Sequence, residues 1–316
     1  NHSLTFVDRA EDHVAAINRS GLAITGPVAE FKVSAPALLP SQVTGTYGTV
    51  LLCVKAQDTA EAARAIKPHL AADGCIVSVQ NGLNELVIAD IVGEPRTVGA
   101  FVNFGADYLS PGTILYGGRG AVVVGEIDGR RTPRVEALHQ LLLEFDDRAV
   151  LTGNIWGYLW AKLAYGAMLF ATALTDASIA DCLASERHRA LFVALPQEVL
   201  RIAVAAGIKP EPFDGFDPAA FMPGASAAAA RQSLDALVEH NRRSAKSHSG
   251  IWRDLAVRKR KTEAEHQLGP IVEAARRHGL AAPITAQTIA LIREIEDGGR
   301  KLEWAGLDLL SHRVPA

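Results

Sequence analysis

Along the first half of the chain, short apolar runs alternate with stretches of helical spacing. Leu4–Val7 reads as a short strand, and Arg9–Arg19 as a helix that stops before Gly21. Val50–Val54 is a continuous apolar run, the pattern of a parallel strand covered on both faces. Ala60–Leu70 reads as the helix after it and Cys75–Val79 as the next buried strand. This rhythm predicts an α/β, doubly wound sheet. Between Thr97 and Val124, strand-like runs are separated by Ser110-Pro111-Gly112 and Gly117-Gly118, predicting short antiparallel strands that extend the sheet edge. After Gly153 helix formers dominate, interrupted by Gly207, the 210–223 loop, Gly279 and Pro283. The expected division is a sheet domain over 1–153 and an all-helical domain over 154–316.

Ile155–Thr175 needs a membrane check, because about 20 apolar residues span a bilayer. Its one charge, Lys162, sits mid-segment and Asp176 follows at once, which favours a buried core helix. The bulk numbers fit a globular chain. Of 316 residues, 48% are hydrophobic and 21% charged, and the net charge of −3 gives no general attraction to nucleic acid or membrane. Cys53, Cys75 and Cys182 lack metal-type spacing. The first two fall in apolar runs and are expected as buried free thiols of a cytoplasmic protein. The ten histidines form no H-E-x-x-H or clustered ligand pattern, so no metal is expected.

A domain of this rhythm that binds a dinucleotide opens with a strand, a glycine-rich turn and a helix N-terminus that receives the pyrophosphate. No G-x-G-x-x-G precedes the first strand. The segment Leu4-Thr5-Phe6-Val7-Asp8-Arg9 instead resembles the second strand of such a domain, the one that ends in the ribose-reading residue. The sequence therefore reads as lacking the first strand and its glycine loop, with a naturally rearranged fold as the alternative. Asp8 can accept hydrogen bonds from ribose hydroxyls and would repel a 2′-phosphate, favouring NAD(H). Arg9 could bind that phosphate and favour NADP(H). Both are also compatible with an ordinary strand-end turn.

Several patterns at long separation resemble the ketopantoate reductase family. They are Val54-Lys55-Ala56, Val79-Gln80-Asn81-Gly82-Leu83 and Leu159-Trp160-Ala161-Lys162-Leu163. A fourth is Gly250-Ile251-Trp252-Arg253-Asp254 leading to Arg258-Lys259-Arg260-Lys261-Thr262-Glu263. The resemblance runs from Leu4 to about Gly298. It implies NADP(H)-dependent reduction of a small 2-keto acid, with Lys162 as general acid and Glu263 orienting its ammonium and the substrate hydroxyl. It also implies that Lys55 orients the substrate, that Asn81 binds the substrate or the nicotinamide side of the cofactor, and that Ser249, or else Ser247, meets the substrate carboxylate. A homodimer remains an open expectation.

The residues have readings of their own. In open α/β sheets ligands collect outside the carboxyl ends of the strands, where Lys55 and Asn81 fall. Asn81-Gly82 is also a turn pair, and Lys55 could be a solvated strand-end cation. Lys162 is a lone ammonium in an apolar helix, so it should lie at a cleft or have a carboxylate partner, unless it snorkels to the surface. A partly desolvated lysine suits proton delivery to an alkoxide near neutral pH. Thr262 is a plausible N-cap with Glu263 in the first helical turn, and the run 258–261 reads as a solvated face or an attractor of anions.

The sequence departs from the family pattern one and two helical turns after the lysine. There the family carries asparagines and this chain has Gly166 and Phe170, which share a face with Lys162 at intervals of four. Losing both amides predicts a 2-keto acid bulkier or more apolar than ketopantoate. Two rivals stand beside this reading: an opine-type or other 2-hydroxyacid dehydrogenase, and a cofactor-binding protein without turnover.

Overall fold

The computed structural model describes residues 3–243 and 247–314. Contacts divide the chain into two units. The first comprises 1–54, 58–79 and 85–153; the second comprises 55–57, 80–84 and 154–316. Two short turns after strands thus cluster with the helical half of the chain.

The first unit contains eleven strands among its described residues: β1 (Phe6–Val7), β2 (Leu22–Thr25), β3 (Phe31–Val33), β4 (Ala37–Leu38), β5 (Tyr47–Leu52), β6 (Leu70–Ser78), β7 (Thr97–Val102), β8 (Gly105–Ser110), β9 (Thr113–Gly118), β10 (Val122–Glu126) and β11 (Val150–Leu151). Its helices are α1 (Glu11–Ser20), α2 (Thr59–Ile66), α3 (Asn84–Val92, whose first residue clusters with the second unit) and α4 (Pro133–Phe145). The main sheet has the order β11-β10-β7-β6-β5. It is parallel throughout except where β10 runs antiparallel to β7. The side-chain period of two explains its continuous apolar runs. On β6, Cys75 and Val77 pack with Val135 and Leu138 of α4, while Ile76 packs with Ala63 of α2 and Ile88 and Val92 of α3. β6 is thus covered on both faces, as in a Rossmann-like doubly wound domain, but the edge strand β5 is not. Contrary to the expectation for Val50–Val54, Val50 and Leu52 pack in the core while Thr49 and Leu51 on the other face are exposed. β1 pairs in parallel with β4 in a separate two-stranded sheet.

Three further expectations change. Only part of the 97–124 region extends the main sheet, namely β7 and β10. β8 and β9 build a second sheet of order β3-β2-β9-β8 instead. The reason is a parallel pairing of β2 with β9, from Ala23↔Thr113 to Thr25↔Leu115, between segments about 90 residues apart. Second, Cys53 is exposed, continuing the uncovered face that Thr49 and Leu51 present on β5; Cys75 and Cys182 are buried thiols. Third, Thr262 is not the N-cap before 264. Glu263 takes that position, and Thr262 Oγ1 accepts from Ala264 N–H at 3.2 Å while donating to Glu296 Oε1 at 2.7 Å.

The second unit contains α5 (Ile155–Thr172), α6 (Ile179–Ala184), α7 (Arg189–Ala205), α8 (Ala227–Arg243), α9 (Gly250–Trp252), α10 (Ala264–Arg277), α11 (Pro283–Glu296) and α12 (Ala305–Ser311). α5 starts at Asn154, whose side chain caps Gly157 N–H, and is buried at 12 of its 18 residues. It packs against α7, α10 and α11 and touches α6 and α9. No described helix is long and apolar enough to cross a membrane.

Candidate active site

The second unit gathers most of the residues singled out by sequence. Lys55 lies three residues after β5, and its ammonium, on a side chain 35% exposed, donates to Asp254 Oδ2 at 2.7 Å. The same ammonium lies 3.4 Å from Glu263 Oε2, and Glu263 Oε1 accepts from Ala56 N–H at 2.9 Å. Residues separated by about 200 positions are thereby joined into one charge cluster. Glu263 is half-buried at the head of α10. A carboxylate offers about four acceptor sites, so these two bonds leave Glu263 capacity for a further donor.

Asn81 is exposed, and its carbonyl accepts from Asn84 Nδ2 at 2.8 Å, closing a turn through Gly82 at φ +107°. That positive φ is strained for any residue with a Cβ, which accounts for the Asn-Gly pair. The Asn81 side-chain amide has no hydrogen-bond partner among the described residues. It serves the turn through its backbone and offers its side chain outward.

Lys162 is half-buried on α5, and it is the only charged residue between Ile155 and Thr172. One turn on, a Cβ built on Gly166 would meet nothing within 4 Å, so that position opens onto empty space. Phe170, a further turn on, is different: its ring is 1% exposed and belongs to the helical core. Ser249 is also buried, at 2% exposure, with its hydroxyl accepting from Trp252 N–H at 3.2 Å as the cap of α9. Ser247, the alternative, is exposed and its hydroxyl bonds His248 Nδ1 at 2.9 Å. His248 is half-buried, its ring tilted against that of Trp252 with centroids 4.0 Å apart, and the Trp252 indole N–H donates to Asp176 Oδ1 at 2.9 Å.

Asp254 is the site residue that sequence reading did not single out. It lies on a single wide turn, Arg253–Val257, closed by Arg258 N–H to the Arg253 carbonyl at 2.9 Å; such π-type turns recur at functional sites. Lys259 then takes φ +49° and reverses the chain, bringing Arg260 back. Arg258 and Arg260 donate to Asp254 Oδ1 at 3.0 and 2.9 Å. The run 258–261 is exposed, as a solvated face would be, yet two of its guanidinium groups are spent on this carboxylate. Burial pushes the Asp254 carboxyl up, but the bonds from Lys55, Arg260 and Arg258 outweigh it and hold it below the ordinary range. The nearest sequence signal was an arginine four residues after an aspartate, which is common on any helix.

In the first unit, Asp8 and Arg9 stand at the carboxyl end of β1. Asp8 Oδ1 accepts from Ala10 N–H at 2.8 Å, and Arg9, 75% exposed, pairs with Asp58 at 3.1 Å. An exposed carboxylate beside an exposed guanidinium fits the sugar end of a nicotinamide dinucleotide, which presents hydroxyls or a phosphate there. Among the described residues no group of three His, Cys, Asp or Glu side chains could hold a metal ion.

Comparison with known proteins identifies the family. Residues 1–129 match the family model described as ketopantoate reductase PanE/ApbA, and residues 154–296 match that of the ketopantoate reductase PanE/ApbA C terminal. A 2-dehydropantoate 2-reductase of Halobacterium salinarum is 26% identical over 308 residues, covering 94% of this chain and 92% of the relative. A PanE/ApbA family ketopantoate reductase from Ralstonia eutropha superposes with a TM-score of 0.77 at 25% identity, over 94% of this chain and 92% of the other. D-mandelate dehydrogenase, in a ternary structure with NADH and anilino(oxo)acetate, shares the fold with a TM-score of 0.77 at 18% identity, over 94% and 92% of the two chains. The chain belongs to the ketopantoate reductase family, and its class is that of a pyridine-nucleotide-dependent oxidoreductase.

Proposed function

We propose that this chain reduces a 2-keto acid more apolar than ketopantoate to the 2-hydroxy acid, with Lys162 as general acid. The observation that carries this reading is the half-buried Lys162 in an otherwise uncharged helix, with open space one turn away at Gly166. Reduced nicotinamide, when bound, supplies hydride to the carbonyl carbon. The oxygen then develops negative charge, and an ammonium that is partly desolvated both stabilises that charge and gives up its proton. Lys55 attracts and orients the anionic keto acid, and the outward amide of Asn81 donates to the substrate or to the carboxamide side of the cofactor. Glu263 uses its remaining acceptor capacity on the substrate hydroxyl and on the Lys162 ammonium. Ser249, whose oxygen caps α9, keeps a hydroxyl proton to donate to the substrate carboxylate.

Gly166 sets the substrate preference. Where an asparagine would fill space and pair with a hydroxyl, the glycine leaves room and no partner, so an aryl or branched side chain is favoured over a hydroxylated one. Since Phe170 is a core residue, this preference rests on Gly166 alone. That D-mandelate dehydrogenase shares the fold supports an aromatic 2-keto acid as a first substrate to try. Asp8 and Arg9 read the 2′ position of the cofactor, Asp8 favouring NADH and Arg9 favouring NADPH.

The test is kcat/KM for ketopantoate, 2-ketoisovalerate and phenylglyoxylate with each cofactor. The apolar acids are expected to exceed ketopantoate by at least about tenfold, the lower end of what one pocket contact discriminates. A strong preference for ketopantoate overturns the substrate assignment, and turnover undiminished in Lys162→Ala overturns the role of the lysine.

A further inference from the structure

We infer that Asp254 is a positioning residue that holds the Lys55 ammonium in place and keeps it from closing onto Glu263. The inference rests on the reading of Lys55 as a substrate-orienting group. Lysine has a flexible stem with about 2 kcal/mol of rotamer entropy, so its charge has no fixed place unless something fixes it. Here two carboxylates compete for it. Asp254 takes Lys55 at 2.7 Å, whereas Glu263 stands off at 3.4 Å. That inequality has a cause in the local chain.

The Asp254 side chain is 3% exposed and is bonded at both oxygens: Oδ2 receives Lys55, and Oδ1 is shared by Arg258 and Arg260. Burying a carboxylate among three cations carries a desolvation penalty that a solvated helix face would not incur. The wide turn at Arg253–Val257 and the reversal at Lys259 serve to bring both arginines to Oδ1, which leaves Oδ2 to the lysine alone. Glu263, by contrast, has one oxygen fixed on Ala56 N–H and is left its second oxygen for another donor. Without Asp254, Lys55 would move onto Glu263 Oε2, which neutralises both groups and withdraws both from the substrate. A displacement of about 1 Å in such a group costs up to about 100-fold in rate.

The test is a double-mutant cycle in the full chain: wild type, Lys55→Ala, Asp254→Asn and the double variant, with kcat and KM measured on phenylglyoxylate and on ketopantoate. Asp254→Asn is expected to lower kcat/KM by about 10- to 100-fold, mostly through KM, because Lys55 acts on the bound anion. In the Lys55→Ala background the same change should cost less than about threefold, a non-additivity that a purely structural aspartate would not produce. Equal losses in both backgrounds, or no loss in a folded Asp254→Asn, overturn the inference about Asp254. No loss in Lys55→Ala overturns instead the reading of Lys55 beneath it. Should Asp254→Asn fail to fold, Asp254→Ser takes its place in the same cycle with the same criteria.

Discussion

Glu85→Gln isolates the most unusual titrating group of the sheet unit. Glu85 lies in the first turn of α3 and is fully buried, with the buried Ser78 hydroxyl and its own backbone N–H as the groups that favour its charged form. A helix N-terminus favours a carboxylate by about 0.3–1 kcal/mol, whereas leaving an ionised carboxylate buried and unpaired costs several. Burial wins: it raises the Glu85 pKa from 4.5 to about 8, and the opposing pull of its own N–H and of Ser78 does not offset it. The native state therefore keeps a proton that the unfolded chain releases. Stability attributable to Glu85 is fully present below pH 4.5, falls as pH rises toward 8, and is flat above it. At 1.36 kcal/mol per pH unit, the whole window is worth about 5 kcal/mol, of which about 3 kcal/mol falls between about pH 6 and about pH 9. Urea unfolding followed by circular dichroism at those two pH values, for wild type and Glu85→Gln, reads the difference directly. Wild type should lose about 3 kcal/mol more than the variant across the interval. Equal losses would refute the assignment of a protonated carboxyl at this position.

Gly166→Ala adds a Cβ into open space in mid-helix, so it should raise unfolding stability by about 0.5–1 kcal/mol, while Gly166→Asn should depress turnover of phenylglyoxylate more than of ketopantoate. Phe170→Ala empties a core position and should cost about 3–5 kcal/mol in the same urea assay; a cost below about 1 kcal/mol would mean the ring is not in the core. Asp8→Ala should shift the NADPH-to-NADH ratio of kcat/KM toward NADPH and Arg9→Ala should shift it toward NADH. No change in either variant would remove β1 from cofactor recognition.

What the sequence made legible was what local pattern encodes. The run at Cys75 marks a parallel strand covered on both faces, whereas the run at Val50 falls on edge strand β5, which packs Val50 and Leu52 but leaves Leu51 exposed; the lone charge in 155–172 marks Lys162. The second sheet was not legible, because β2, β3 and β8 are short or largely exposed and their order depends on a parallel pairing between Ala23 and Thr113 that leaves no local trace. Cys53 is exposed because it follows Thr49 and Leu51 on the uncovered face of an edge strand, and an apolar run does not say whether its strand is at the edge. Phe170 shares a helix face with Lys162 by periodicity, but periodicity does not say where along that face the core begins. Asp254 was invisible as a partner of Lys55, since ion pairs between positions 199 apart arise from the fold and not from spacing.

The central claim is that Lys162 delivers the proton in reduction of an apolar 2-keto acid. It is tested most directly by following NADPH and NADH oxidation with phenylglyoxylate across pH for wild type and Lys162→Ala. The account predicts a fall in kcat of about 10²- to 10⁴-fold in the variant and loss of the high-pH limb of the profile. Oxidation by the variant at the wild-type rate, with the same pH profile, would contradict it.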